Sequence, residues 1–273
     1  MKTNILSWKV YKFLFLDIWH HQFFHSKIKP QDVDLDRDKL DSYLKQLNLS
    51  VIGTDTDDGK EVIFTDEHPA TLFYADHPSS LDALYFFTLL RHVNIFFVSF
   101  LHNKLHFKFL DKRMIPVASY FKSQQLNPLG MKLRFARRIE DMDEVQAKEM
   151  NFQVVPSAVE QLSKGNSVII FPSGGWGEWQ DGIGFIISKF HKKYPNKELI
   201  IQPLKMKSFG ELQSVFHGVL HMFKIRVKAI VRIEVGRKFS LSKLSKEAIF
   251  NTENEKQQAK SIRAFLEKSY KLL

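Results

Sequence analysis

The order of apolar and polar positions predicts strands and helices that alternate along most of the chain. Short, mostly apolar runs predict buried strands at ATLFYA (residues 70–75) and NIFFVSF (residues 94–100), and residues 80–91 have the length and apolarity of a helix. In MKLRFARRI (residues 131–139), apolar side chains occupy alternate positions, as they do on one face of a strand. Interleaved elements are typical of the α/β class, so we expect a mixed, mostly buried β-sheet that is flanked by helices.

The segment SAVEQLSKGNSVIIFPSGG (residues 157–175) shows this pattern most plainly. It predicts a helix, a stop signal at KGN, the strand VIIF and then a turn rich in glycine. A hairpin around an Asp-Gly pair is predicted by SVIGTDTDDGKEVIF (residues 50–64), and further strands by ELIIQPLKM and IRVKAIVRIEV. Residues 252–272 predict a closing amphipathic helix.

The N-terminal part of the chain is distinct, and we divide the protein into an N-terminal helical segment, residues 1–60, and a main domain, residues 61–273. Aromatic and basic side chains alternate near the start, as they do in helices that lie in a membrane interface: Trp8, Tyr11, Phe13, Trp19, Phe23 and Phe24 with Lys2, Lys9, Lys12 and His20. A helix docked on the protein core fits the same residues equally well. No stretch reaches the roughly 18 uncharged apolar residues that a transmembrane helix needs.

Composition and charge limit the classes of function that the protein can have. The 273 residues are 44% hydrophobic and 26% charged, as in a globular protein, and the formal net charge of +10 indicates acidic partners such as anionic membranes, phosphorylated substrates or acidic carrier proteins. The chain has no cysteine, which excludes thiolate nucleophiles and Cys-based zinc sites. Because it also has no RNP-like run, no zinc-finger spacing and no basic helix, we expect no nucleic-acid partner.

Two His-x4-Asp pairs occur, and their contexts differ. His77 follows a predicted strand, and Ser79 is a natural helix N-cap, so the Asp82 carboxylate can accept the proton of one imidazole nitrogen and leave the other as a general base. A capping box from Ser79 to Asp82 explains the same residues without catalysis. The second pair, His106 and Asp111, lies in a basic, aromatic stretch without a helix-start signal.

Two further stretches are candidates for binding an anion. The glycine-rich turn after VIIF exposes backbone N–H groups that can hold a phosphate or a developing oxyanion, although a plain surface loop has the same composition. Arg137 and Arg138 end the predicted strand MKLRFARRI, where a guanidinium can bind an anion through two hydrogen bonds. Paired arginines on a solvated sheet edge are the alternative.

The order of these motifs resembles the glycerolipid acyltransferase family, the PlsC-type enzymes that acylate glycerol phosphate and lysophosphatidate. The resemblance covers roughly residues 61–240. DHPSSLD is similar to the family's N-H-x4-D motif, FARR loosely to F-I-D-R, FPSGGWG to F-P-E-G-T-R-S, and IIQPLKM to its short apolar strand with proline. The residues that match these motifs are His77, Asp82, Arg137, Arg138, Pro172, Ser173, Gly174 and Gly175. Three departures are Asp76 in place of asparagine, Ser173 in place of glutamate, and Trp176 where an arginine often follows.

The resemblance implies a function and a location. It implies transfer of a fatty acyl group from acyl-CoA or acyl carrier protein to a hydroxyl of a glycerolipid acceptor, most readily lysophosphatidate or glycerol 3-phosphate. His77 would be the catalytic base and Asp82 its orienting partner, the arginines and the glycine turn would bind substrate, and no metal or resident cofactor would be needed. We expect a peripheral protein on the cytoplasmic face of an anionic membrane. A catalytically inactive peripheral membrane protein that retains this fold is the alternative.

Overall fold

Strands and helices are interleaved along the part of the chain that the structure describes. The computed structural model describes residues 48–65, 67–76, 82–100, 113–118, 144–173, 178–207, 228–246, 250 and 254–273, with the backbone alone for residues 82–84 and 100. In chain order the elements are β1 (Leu49–Asp55), β2 (Glu61–Val62), β3 (Thr71–Ala75), α1 (Asp82–Leu89), β4 (Ile95–Phe100), β5 (Met114–Val117), α2 (Glu144–Ser163), β6 (Ser167–Ile170), α3 (Gly182–Lys193), β7 (Ile200–Met206), β8 (Ala229–Val235), β9 (Phe239–Ser240), α4 (Leu241–Leu244) and α5 (Glu255–Lys271).

The strands of these described residues form one nine-stranded sheet, and the predicted α/β class is confirmed. The strand order is β2-β1-β8-β7-β3-β6-β4-β5, with β9 beside β7. β7, β3, β6, β4 and β5 are parallel, whereas β8 is antiparallel to β7 and parallel to β1. The register aligns Tyr74 of β3 with Ile170 of β6 and with Pro203 of β7. These three neighbouring strands therefore end at the same edge of the sheet.

The predicted hairpin at the start of the described residues is also present. β1 and β2 are antiparallel, and Gly59 between them has a φ of +70°, a value that favours glycine because it has no Cβ. β1 also pairs with β8 along its whole length, so it belongs to the sheet of the main domain. The division after residue 60 therefore falls between β1 and β2, two paired strands of one sheet. Residues 1–47 of the predicted N-terminal helical segment, including its aromatic and basic side chains, lie outside the described residues.

Both faces of the sheet are covered, which explains why all five residues of β3 are buried and why four of them are apolar. Phe73 and Ala75 belong to the core on one face, under α1. Leu72 and Tyr74 belong to the core on the opposite face, under α2, α3 and α5. Successive side chains of a strand point to opposite faces, so a continuous apolar run is what a strand buried on both sides requires.

Helices α3 and α5 approach each other very closely on the second face. A Cβ added to Gly184 of α3 would lie 2.0 Å from the backbone oxygen of Ala259 in α5. Ser188, one turn further along α3, donates a hydrogen bond to the Gln258 side chain beside Ala259. Glycine at position 184 therefore sets the separation of the two helices, and the position of α5 depends on it.

Some elements differ from the sequence predictions. The helix predicted over residues 80–91 is observed as α1 over Asp82–Leu89, and the strand predicted at residues 131–139 lies outside the described residues. β5 and α3 were not anticipated, the latter because its glycines indicated a loop. In the described part of the chain, none of the helices is both long enough and apolar enough to cross a membrane.

Candidate active site

The structure describes part of the predicted site. Pro172 is buried and Ser173 is half-buried directly after β6, and Asp82 is the first residue of α1, where its backbone alone is described. The remaining predicted site residues, and the alternative pair at His106 and Asp111, lie outside the described residues: His77, Arg137, Arg138, Gly174 and Gly175. The hydrogen bond between His77 and Asp82 stays a prediction.

The two segments that carry the main motifs leave the sheet side by side. β3, which precedes the His-x4-Asp motif, and β6, which precedes the glycine-rich motif, are adjacent and parallel. The backbone N–H of Gln180 donates to the carbonyl of Pro172 at 2.9 Å, so the two ends of the glycine-rich stretch are held together. In open α/β sheets, ligands bind at the carboxyl ends of the strands, which is the edge that these segments share.

Asp76, the residue after β3, is held by two hydrogen bonds from different parts of the fold. The indole N–H of Trp179 donates to its Oδ1 at 3.0 Å, and its own backbone N–H donates to the Oη of Tyr270 at 3.1 Å. Tyr270 in turn donates from its hydroxyl to the carbonyl of Leu204 in β7 at 3.3 Å. One residue at the exit of β3 is thereby tied to the segment after β6, to β7 and to α5.

The rings that make these hydrogen bonds pack against each other. Tyr74, Trp179 and Tyr270 are all buried. The distance between ring centroids is 5.7 Å for Tyr74 and Trp179, which form a T-shaped pair, 5.4 Å for Trp179 and Tyr270, and 6.0 Å for Tyr74 and Tyr270. The Nζ of Lys205 lies 5.6 Å from the Tyr270 ring centroid, within the range of a cation–π contact. We call Tyr74, Trp179 and Tyr270 the aromatic cluster.

Burial changes the pKa of Tyr74, in the aromatic cluster, and the pKa of Asp76 beside it. Burial raises the pKa of Tyr74 far above its usual range, and the nearby Tyr270 adds to the effect, so Tyr74 stays protonated. Among the described residues, no partner accepts or donates a hydrogen bond at its Oη. Burial also raises the pKa of the half-buried Asp76, against the opposing effects of the Trp179 N–H and of Lys205 and Lys271; Glu267 adds to the increase.

The raised pKa of Asp76 predicts a pH-dependent gain in stability for Asp76→Asn. A carboxyl group whose pKa is raised on folding stabilises the protein below its unfolded pKa, near 3.8, and this contribution is lost as the pH rises through the folded pKa. Asparagine keeps an acceptor for Trp179 and removes the buried charge. We expect a higher melting temperature than wild type at about pH 7, and a difference that shrinks towards zero at about pH 4.

Thermal unfolding across this pH range measures the effect. A lower melting temperature for Asp76→Asn at neutral pH would contradict the prediction, because it would mean that attraction to Lys205 and Lys271 outweighs the cost of burying the charge.

The aromatic cluster and its contact with Asp76 were not anticipated from the sequence. Trp179 lies in the glycine-rich stretch, whose composition indicates a role for backbone N–H groups and none for an indole side chain. Tyr270 continues the apolar stripe of α5, so its burial follows from helical spacing, but its hydrogen-bond partners come from β3 and β7. In the described part of the chain, no group of three or more His, Asp or Glu side chains is placed to hold a metal ion.

Comparison with known proteins gives a similarity to solved structures and no family. No protein-family model matches the chain, and no curated protein matches it. Among solved structures, it is similar to the 1-acyl-sn-glycerophosphate (LPA) acyltransferase PlsC from Thermotoga maritima, at 12% sequence identity and a TM-score of 0.38, over 97% of this chain and 98% of that one.

Proposed function

We propose that the protein is an acyltransferase that moves a fatty acyl group from acyl-CoA or acyl carrier protein to a hydroxyl of a glycerolipid acceptor. The observation that carries this proposal is the placement of β3 and β6 as adjacent parallel strands that end at one edge of the sheet. The chain segments that follow these strands contain the two motifs on which the acyltransferase resemblance rests. Adjacent strands are what the proposal requires, because one motif contributes the base and the other contributes the anion-binding turn.

The proposed reaction is direct transfer in one active site. His77 takes the proton of the acceptor hydroxyl as its oxygen bonds to the thioester carbonyl carbon, and Asp82 orients the imidazole and stabilises the imidazolium. Backbone N–H groups around Ser173, Gly174 and Gly175 hold the oxyanion. The carbon–sulfur bond then breaks, and the imidazolium returns the proton to the departing thiolate.

Charge and substrate chemistry agree with this reaction. The chain has a net charge of +10, and the phosphates of CoA, an acidic carrier protein and an anionic membrane surface are all attracted to a basic protein. Arg137 or Arg138 pairs with the phosphate of lysophosphatidate or glycerol 3-phosphate. We place the protein at the cytoplasmic face of a membrane, with the aromatic and basic side chains near the start of the N-terminal segment as its contact with the lipid.

A parallel acceptor assay tests the proposal. Purified protein is given acyl-CoA or acyl-loaded carrier protein with glycerol 3-phosphate, lysophosphatidate or an uncharged lysolipid, and the released thiol and the acylated product are measured together. We expect thiol release that depends on the acceptor, with equal amounts of thiol and ester. Thiol release that is the same without any acceptor would indicate a thioesterase instead and would contradict transfer.

The second candidate is a catalytically inactive peripheral membrane protein of the same fold. It is favoured by Ser173 and Trp176, which stand where the acyltransferase motif has a glutamate and often an arginine. Binding to anionic liposomes without thiol release from any donor and acceptor pair is the result that this candidate predicts.

A further inference from the structure

We infer that Asp76, Trp179 and Tyr270 form a clamp that fixes the position of His77, the next residue in the chain, which makes Asp76 a positioning residue. The inference rests on the proposed function, in which His77 is the catalytic base. It is carried by the hydrogen bonds at the exit of β3, where Trp179 and Tyr270 hold the side chain and the backbone of Asp76 separately.

Restraint at both ends of Asp76 limits the directions in which the chain can leave β3. The Tyr270 hydroxyl accepts from the Asp76 backbone N–H and donates to the Leu204 carbonyl. The backbone of Asp76 is therefore held relative to β7, the strand paired with β3. The Trp179 N–H holds the carboxylate from the segment that follows β6, the neighbouring strand on the other side of β3. The residue before His77 is therefore fixed relative to both neighbouring strands.

The two residues that hold Asp76 are themselves fixed by packing. Trp179 and Tyr270 are buried and in ring contact with each other and with Tyr74. Tyr270 lies on α5, and the close contact of Gly184 with Ala259 sets the position of that helix. A catalytic group that is displaced by about 1 Å can lose as much as 10²-fold in rate, so a rigid support beside the base has a large kinetic effect.

The aromatic cluster contains its own matched control. Tyr270→Phe and Tyr74→Phe each remove one phenolic hydroxyl from adjoining buried rings, but the Tyr270 hydroxyl alone bonds to Asp76, whereas the Tyr74 hydroxyl has no hydrogen-bond partner among the described residues. Asp76→Ala removes the acceptor for Trp179, and Asp76→Asn keeps an oxygen in its place. A role in ring packing alone, without the hydrogen bonds of Tyr270, would make the two tyrosine variants equivalent.

The experiment compares these four variants by steady-state kinetics and by NMR of protein labelled with ¹³C in the histidine rings. We expect Tyr270→Phe and Asp76→Ala to lower kcat by about 10–100-fold with KM for the donor changed by less than about twofold. Tyr74→Phe retains the wild-type kcat, and Asp76→Asn retains most of it. The His77 resonance, identified by its loss in His77→Ala, shifts in Tyr270→Phe and not in Tyr74→Phe.

Two results would overturn the clamp: a Tyr270→Phe variant with wild-type kcat and an unshifted His77 resonance, or a Tyr74→Phe variant as impaired as Tyr270→Phe. A wild-type protein that releases no thiol with any acceptor overturns the proposed function instead. The His77 resonances of the same variants then decide the positioning inference by themselves.

Discussion

Replacing His77 by alanine is expected to lower the acceptor-dependent release of thiol by at least about 10²-fold, because general-base catalysis contributes about 10²–10⁴ in rate. The measurement is kcat in the thioester assay, with circular dichroism to verify that the variant is folded. His106→Ala is the matched control, since it removes the histidine of the second His-x4-Asp pair in the chain. We expect that variant to keep wild-type turnover.

The outcome distinguishes a catalytic histidine from a helix cap. If Ser79 and Asp82 form a capping box and nothing more, His77→Ala keeps its turnover and the proposed mechanism is wrong. Equal losses in the His77 and His106 variants would also contradict the assignment, because they would indicate a general effect of removing a histidine.

Replacing Gly184 by alanine is expected to destabilise the protein by about 2–3 kcal/mol, the usual cost of inserting an atom into a packed contact. The new Cβ would lie 2.0 Å from the backbone oxygen of Ala259, and a backbone atom of a neighbouring helix cannot rotate away as a side chain does. Thermal unfolding measures the effect, as a fall in melting temperature of about 4–12 °C. Because α5 carries Tyr270, turnover should fall as well.

The same helix provides the control for this prediction. A Cβ on Gly182, at the start of α3, would have Ile170 at 4.0 Å as its nearest neighbour, which is an ordinary contact. Gly182→Ala is therefore expected to leave the melting temperature unchanged or to raise it slightly, since alanine loses less conformational entropy than glycine on folding. A Gly184→Ala variant as stable as Gly182→Ala would show that α3 and α5 separate easily.

The parts of the fold that follow from local pattern could be predicted from the sequence. β3 was predictable because a strand buried on both faces is apolar at most positions. The end of α2 was predictable because a helical stripe is followed by the stop signal at Gly165, which has a φ of +88°. α3 could not be recognised, because its first turn contains Gly182 and Gly184, and a pattern rich in glycine indicates a loop. The reason for the second glycine is a contact with a helix some distance away in the chain.

The same distinction, between features set by local pattern and features set by distant contacts, applies to the candidate site. Motif spacing predicts His77, Asp82 and the glycine-rich turn as site residues, because those residues are close in the chain or follow strands that can be recognised, and these assignments stay predictions. The contact of Asp76 with Trp179 and Tyr270 could not be predicted, because it joins residues that are far apart in sequence. Such a contact depends on the order of the strands in the sheet, which local patterns do not specify.

The pairing of β1 with β8 has a consequence for biosynthesis. Leu49 of β1 is opposite Ala229 of β8, so most of the chain must be synthesised before β1 can pair with β8. Until then the nascent protein exposes an unpaired strand edge, the kind of surface on which partly made chains associate with one another. We expect fragments that stop short of residue 229 to aggregate on release from the ribosome.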